Sequence, residues 1–133
     1  MLDSHRVAIT GMGVLTPLGA GIRAFWDNLR AGRVAVAPLT RFECDSFPTR
    51  VAAQIDDFDP SDYLAKRRLQ WTDRFSQLAV AAAKLAVEDA QFSVNGAASE
   101  IGVYTGSALG GLAFAEDQIC LLYTSDAADD LTR

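Results

Sequence analysis

The sequence predicts an α/β layered fold with mostly parallel strand pairing, on three observations. Short runs rich in β-branched residues recur at Arg6–Thr10, Arg50–Ile55 and Ile101–Thr105. Apolar residues at helical spacing fill the intervals near residues 22–31 and 73–91. Turn-forming clusters separate the two kinds of segment, and strands alternating with helices favour crossover helices laid on a parallel sheet. The 133 residues make about one domain, and 50% hydrophobic with 22% charged residues is a globular rather than a disordered composition.

Taken in order, RVAIT (Arg6–Thr10) is the first strand, stopped by Gly11-Met12-Gly13. Ile22, Phe25, Trp26 and Leu29 fall at i, i+3, i+4 and i+7, one face of a helix ending near Gly32. Residues 34–48 read as irregular, with Pro38 and Pro48 as breaks. RVAAQI (Arg50–Ile55) is the second strand, and DDFDPS after it is turn chemistry with Pro60 fixing φ. Thr72 or Asp73 caps a long helix running to about Gln91. Phe75, Leu78, Ala79, Ala82, Leu85 and Ala86 line one of its faces, while Val80, Ala81, Ala83 and Val87 make the rest apolar too. Such a helix is expected to be buried on most sides, with Lys84, Glu88 and Asp89 as its charged end. IGVYT (Ile101–Thr105) is a third strand entering the glycine-rich loop Gly106–Gly111, and a short helix follows from Leu112. The chain has no internal repeat or low-complexity run.

The composition removes several function classes. Twelve basic and seventeen acidic residues give a net charge of −5, which argues against general nucleic-acid binding because that needs a basic face. A local cluster of Arg67, Arg68 and Arg74 remains. Cys44 and Cys120 form neither a CxxC pair nor a metal-ligand spacing, so no disulfide framework and no metal site are expected, and a reducing cytoplasm fits best. The uncharged stretches 7–22 and 101–115 are too short and too glycine-broken to span a membrane, and the leader MLDSHR does not suit a secretory signal.

Candidate chemistry is sparse. TGMGVLTPLG (Thr10–Gly19) follows a strand, as a dinucleotide fingerprint would. Thr16 stands in place of the third glycine, Pro17 follows where the phosphate-cradling helix should run, and no acid ends a second strand about twenty residues on. A tight structural turn is the simpler reading. GSALGG (Gly106–Gly111) lacks the lysine of a P-loop. The single histidine, His5, reads as a solvated terminal residue, and Cys44 as a small packed thiol without a neighbouring base. Asp56, Asp57, Asp59 and Asp62 are accounted for by turn capping without a metal. These residues assemble no complete active site.

Five blocks in order carry a resemblance over residues 6 to about 119: RVAITGMGVLTPLG, FWDNLRAG, FPTRVAAQIDDFDP, TDRFSQLAVAAAKLAVEDA and IGVYTGSALGGL. Together they resemble the N-terminal part of a type II β-ketoacyl-[acyl-carrier-protein] synthase. The resemblance implies a partial thiolase-like fold, part of the first of two similar α/β/α/β/α halves, in a protein that works as a homodimer. It implies decarboxylative Claisen condensation of an acyl chain with a malonyl group, both delivered by acyl carrier protein. It implies no cofactor of the enzyme's own, since phosphopantetheine belongs to the carrier. A cysteine takes the acyl chain as a thioester, and two histidines and a lysine assist decarboxylation and oxyanion stabilisation.

None of those four catalytic residues has a match here, so the chain by itself is expected not to condense. Cys44 precedes the long helix, and Cys120 comes too early and lacks the surrounding small residues. Leu109 is the one site residue carried over: it matches the family position whose bulky apolar side chain gates the fatty-acyl pocket. The competing expectation is a plain loop anchor in the core. The chain departs from the family pattern at Ala108, where glycine is usual and whose replacement stiffens the loop. It departs also at Gln91, where glycine is usual and whose loss is expected to remove the left-handed helix terminator.

A second resemblance concerns Cys120–Asp129. CLLYTSDAAD is similar to the in-frame translation of a transposase sequencing adapter, with all ten residues agreeing. The expected organisation is therefore residues 1–119 as synthase domain and 120–133 as a non-native tail on a truncated reading frame. The leading functional expectation is a condensing acyltransferase of fatty-acid synthesis. A polyketide ketosynthase or its non-catalytic chain-length partner shares these motifs. A Rossmann-like nucleotide-binding module is the alternative of another class, and the spacing and ribose-binding acid it needs are missing.

Overall fold

The computed structural model describes residues 6–93 and 101–130. Leu15–Thr16 (β1) and Gly19–Ala20 (β2) form a tight antiparallel hairpin with Leu15 opposite Ala20. The Thr16 hydroxyl holds the turn, accepting the Leu18 N–H and donating to the Gly19 carbonyl, each at 3.2 Å. Ile22–Arg30 (α1) follows, and its Asn28 side chain donates to the Leu18 carbonyl, tying hairpin to helix. The helix stops where the sequence placed its end. Gly32 sits at φ +66, its N–H reaches the Leu29 carbonyl, and the Arg33 N–H reaches the Asn28 carbonyl, both at 3.0 Å. This is a Schellman motif, which needs a left-handed residue after the cap.

Val36–Pro38 (β3) pairs antiparallel with Val51–Ala53 (β4), Val36 opposite Ala53. Two expectations change here. A strand lies inside the segment 34–48 that the prolines marked as irregular, and the pairing is antiparallel rather than parallel. Residues 39–50 connect the strands without a helix, so the chain simply doubles back; parallel pairing needs a crossover. Pro38 is tolerated because its missing N–H falls at a strand end in a two-stranded sheet.

The strand expectations at Arg6–Thr10 and Ile101–Thr105 are not met. Both segments are unpaired, and Val7 is 92% and Tyr104 97% exposed. β-branched composition favours a pleated, covered surface but supplies no ladder partner, and neither run meets one among the described residues.

Past a 3-10 turn at Pro60–Asp62 and the single-turn helix Lys66–Leu69 (α2), Arg74–Asp89 forms the long helix α3. Asp73 is its cap, with Oδ1 accepting the Ser76 N–H at 2.8 Å. On the inner side Ala82, Ala86 and Ala90 recur at i, i+4 and i+8, and the Gly11–Gly13 segment lies directly on them. A β-carbon at Gly11 would stand 2.3 Å from the Ala86 carbonyl oxygen, and one at Gly13 would stand 1.8 Å from that of Ala82. The fingerprint-like glycines thus serve close approach of backbone to helix. Met12 N–H adds a 2.9 Å bond to the Asp89 carboxylate.

The expectation of a helix buried on most sides is corrected. Ala81 alone on α3 is fully buried, Leu78, Ala82, Leu85 and Ala86 are half-buried, and Phe75, Val80 and Val87 are exposed. Phe58 and Leu64 join Ala81 as the core. The expected loss of the helix terminator is also corrected. Gln91 itself adopts φ +50, and the motif closes through Gln91 N–H to Glu88 O (3.0 Å) and Phe92 N–H to Val87 O (3.1 Å).

The helix expected from Leu112 runs longer than a short one, as Leu112–Asp130 (α4), and crosses residues 119–120 without interruption. Leu112, Ile119, Leu121 and Leu122 on it are exposed. Among the described residues no helix is long and apolar enough to cross a membrane. The chain exposes 11578 Å², against about 6,800 Å² for a compact monomer of 14.3 kDa. Among the described residues Val7, Ile9, Val103 and Tyr104 are more than four-fifths exposed.

Candidate functional site

The Asp-rich turn is built by its own side chains. Asp59 Oδ1 accepts the Ser61 N–H at 2.8 Å and caps the 3-10 turn. That bonding to Ser61 holds the Asp59 carboxyl below its ordinary range. Asp56 faces Arg41 at 3.6 Å. Among the described residues no group of three or more His, Cys, Asp or Glu is placed to hold a metal.

The arginines grouped together in the sequence differ in burial and in partners. Arg74 lies over the ring of Phe58, 5.3 Å from its centroid, and Phe58 stacks on Tyr63 at 5.9 Å. Arg74 and Arg41 both donate to the Ile55 carbonyl, tying the segment just after β4 to the start of α3. Burial, and then the charge of Arg41, push the Arg74 guanidinium below its usual value, with Asp56 opposing. Arg74 is therefore spent on the fold. Lys66, Arg67 and Arg68 stay exposed on α2, where Arg67, Arg68 and Trp71 help line a shallow cleft of 540 Å³. A second cleft, of 420 Å³, opens between the hairpin and the acidic turn, lined by Leu15, Pro17, Asp57 and Tyr63 among others.

The glycine-rich loop meets the cap of α3. Gly111 packs against Asp73, and Gly110, at φ +56, donates its N–H to Ser107 Oγ at 2.9 Å. Leu109, the expected pocket residue, immediately precedes Gly110 and is 75% exposed. In this structure it anchors no core. Bonding from Ser76 keeps the Asp73 carboxyl below its ordinary range, so it is ionised at neutral pH.

The remaining candidates stay apart. Cys44 is half-buried in the loop after β3, its carbonyl accepting the Phe47 N–H at 3.0 Å, and Cys120 is exposed on α4. His5 lies outside the described residues, so neither thiol has an imidazole beside it among those described. The Lys84 ammonium is taken up by the Tyr63 carbonyl. Sequence reasoning missed the seating of Gly111 on Asp73 and the Arg41–Arg74 clamp. The alanines at i, i+4 and i+8, facing a Gly-x-Gly segment, were a readable signal for the close packing on α3; nothing in the spacing signalled the clamp.

Residues 4–130 match the sequence model of the family described as Beta-ketoacyl synthase, N-terminal domain. The chain is 41% identical over 125 residues to 3-oxoacyl-[acyl-carrier-protein] synthase 2 of Coxiella burnetii, covering 93% of this chain and 30% of that protein. It is 37% identical over 122 residues to the Synechocystis protein of the same name, covering 91% and 29%. Among solved structures it resembles the ishigamide ketosynthase/chain length factor with a TM-score of 0.68 at 32% identity, covering 91% of this chain and 30% of that one. A β-ketoacyl synthase from Burkholderia phymatum gives a TM-score of 0.55 at 34% identity, covering 69% and 23%. The chain spans less than a third of the length of these relatives. By the match across nearly all of its residues, this chain belongs to the β-ketoacyl synthase family.

Proposed function

We propose that the protein carrying this chain is an acyltransferase that condenses acyl chains with malonyl-acyl carrier protein in fatty-acid elongation. The observation that carries the reading is the family match over residues 4–130, with named 3-oxoacyl-[acyl-carrier-protein] synthases at 41% and 37% identity. In the reaction an enzyme thiolate displaces the carrier thiol from an acyl thioester. Malonyl-carrier then loses CO2, and the carbanion formed attacks the acyl carbonyl, releasing the enzyme thiolate and 3-ketoacyl-carrier. The family's cysteine, histidines and lysine have no counterparts in residues 1–133. The chain's own contribution is the loop that presents Leu109 to the acyl pocket, and part of the first α/β/α/β/α half of a thiolase-like fold. Lys66, Arg67 and Arg68 on α2 offer an exposed cationic surface that suits the phosphodiester of a carrier-borne phosphopantetheine arm. No cofactor of the enzyme's own enters this reading. The intact enzyme is read as a homodimer, and residues 120–133 as a non-native tail.

A second reading is a polyketide ketosynthase or its chain-length partner, and the structural similarity to the ishigamide ketosynthase/chain length factor favours it. The full-length protein, incubated with acyl- and malonyl-carrier protein, separates the two. Release of CO2 with a single-round 3-ketoacyl product supports fatty-acid elongation, and repeated unreduced extension supports the polyketide reading. Absence of any condensation with either substrate set rejects the enzymatic reading.

A further inference from the structure

The carboxylate of Asp73 does two things at once. Oδ1 accepts the Ser76 N–H and starts α3. Oδ2 lies against Gly111 so closely that a β-carbon there would stand 1.7 Å from it and 2.7 Å from Cγ. Nothing larger than a hydrogen fits between them. One residue on, α4 begins, and the Gly111 carbonyl accepts the Ala115 N–H at 3.0 Å. The C-terminal end of the loop is therefore held between the cap of one helix and the first turn of the next. The rest of the loop is not packed against the core: residues 101–110 are exposed throughout, and a β-carbon at Gly106 would meet nothing within 4 Å. Leu109 sits two residues from the fixed point. The seat is open along one side, where a cleft of 300 Å³ is lined by Asp73, Phe75, Gly110, Gly111, Phe114 and Asp117. A change in the carboxylate would thus move the loop rather than be absorbed by a close-packed core.

We infer that Asp73 is a positioning residue for acyl-chain selection: its carboxylate seats Gly111 and thereby sets where Leu109 stands. The inference rests on the reading of Leu109 as an acyl-pocket residue. It assigns Asp73 no contact with substrate. The side chain acts through the backbone of the loop, and its shape matters more than its charge.

Two substitutions in the full-length enzyme separate seating from capping. Asp73→Asn keeps both the cap and the shape. Asp73→Ser keeps a capping oxygen but removes the second oxygen on which Gly111 rests. Three readouts are taken: thermal stability, acyl-enzyme formation against chain length, and hydrogen exchange of the Gly106–Gly111 amides. Asp73→Asn is expected to match wild type in all three. Asp73→Ser is expected to melt within a degree or two of Asp73→Asn, to exchange faster in the loop, and to shift the ratio of long-chain to short-chain acylation by about tenfold, the scale of a methylene-sized change in an apolar pocket. A wild-type enzyme that loads no acyl chain overturns the functional reading and this inference together. A wild type that loads normally, with an unchanged chain-length ratio in Asp73→Ser, overturns this inference alone. So does a shifted ratio with unchanged loop exchange, because the effect would then not pass through the loop. If Asp73→Ser does not fold, Gly111→Ala is the substitute: its β-carbon meets the same carboxylate, and the same shift is expected, with an unchanged ratio again overturning the inference.

Discussion

Gln91→Gly is a test of the strained end of α3. Gln91 holds φ +50, a conformation that costs an L-residue roughly 1–2 kcal/mol through contact of Cβ with the following carbonyl. Glycine removes that cost but loses about 0.4–1 kcal/mol through its greater freedom in the unfolded chain. The difference leaves a net gain of about 0.5–1 kcal/mol, a factor of roughly two to five in the local opening equilibrium. The bonds that report it are Phe92 N–H to Val87 O and Gln91 N–H to Glu88 O, which close the motif. The assay is amide hydrogen exchange at residues 91 and 92 in the full-length protein, with Gln91→Ala as control because alanine suffers the same strain. Protection should rise two- to fivefold in Gln91→Gly and stay level or fall in Gln91→Ala. Unchanged or faster exchange in Gln91→Gly would refute the claim that residue 91 is strained.

Gly13→Ala should destabilise the protein by about 3 kcal/mol, since its β-carbon would lie 1.8 Å from the Ala82 carbonyl oxygen and meets backbone that cannot step aside; urea melts compare it with Gly106→Ala, whose β-carbon meets nothing within 4 Å and whose backbone is not left-handed. Leu109→Phe in the full-length enzyme should cut long-chain acylation by about tenfold while sparing short chains, read as acyl-enzyme formation against chain length; parallel losses at all lengths would show that Leu109 does not face the acyl pocket. The 133-residue chain expressed alone should bind hydrophobic dye strongly and melt without a cooperative transition, because 11578 Å² of exposed surface leaves Val7, Ile9, Val103 and Tyr104 uncovered; a sharp two-state melt of a monomer would contradict this.

Features that depend on neighbours in the chain were legible in the sequence. The α1 stop at Gly32, the Asp73 cap and the Pro60 turn each follow from one side chain and its adjacent backbone. Features that depend on a distant partner were not. Arg6–Thr10 and Ile101–Thr105 have strand composition, yet a strand exists only where another ladder runs beside it, and none does among the described residues. β3 was hidden by the prolines around it, because its stability comes from pairing with β4 rather than from its own residues. Gln91 shows the converse: the preference for glycine at a helix terminator is worth too little to overrule the hydrogen bonds that close the motif. The glycine-rich loop was visible through the motif, whereas the seat of Gly111 on Asp73 joins residues 38 positions apart and carries no sequence pattern.

On the proposed reading the full-length protein is a thiol-based condensing enzyme whose nucleophile lies beyond residue 119. The direct measurement is peptide mapping by mass spectrometry of the full-length protein after incubation with acyl-carrier protein in the absence of malonyl-carrier protein. One acyl group should be found per active site, on a cysteine beyond residue 119, with Cys44 unmodified. Acylation of Cys44, or a full-length protein that takes up no acyl group, would overturn that reading.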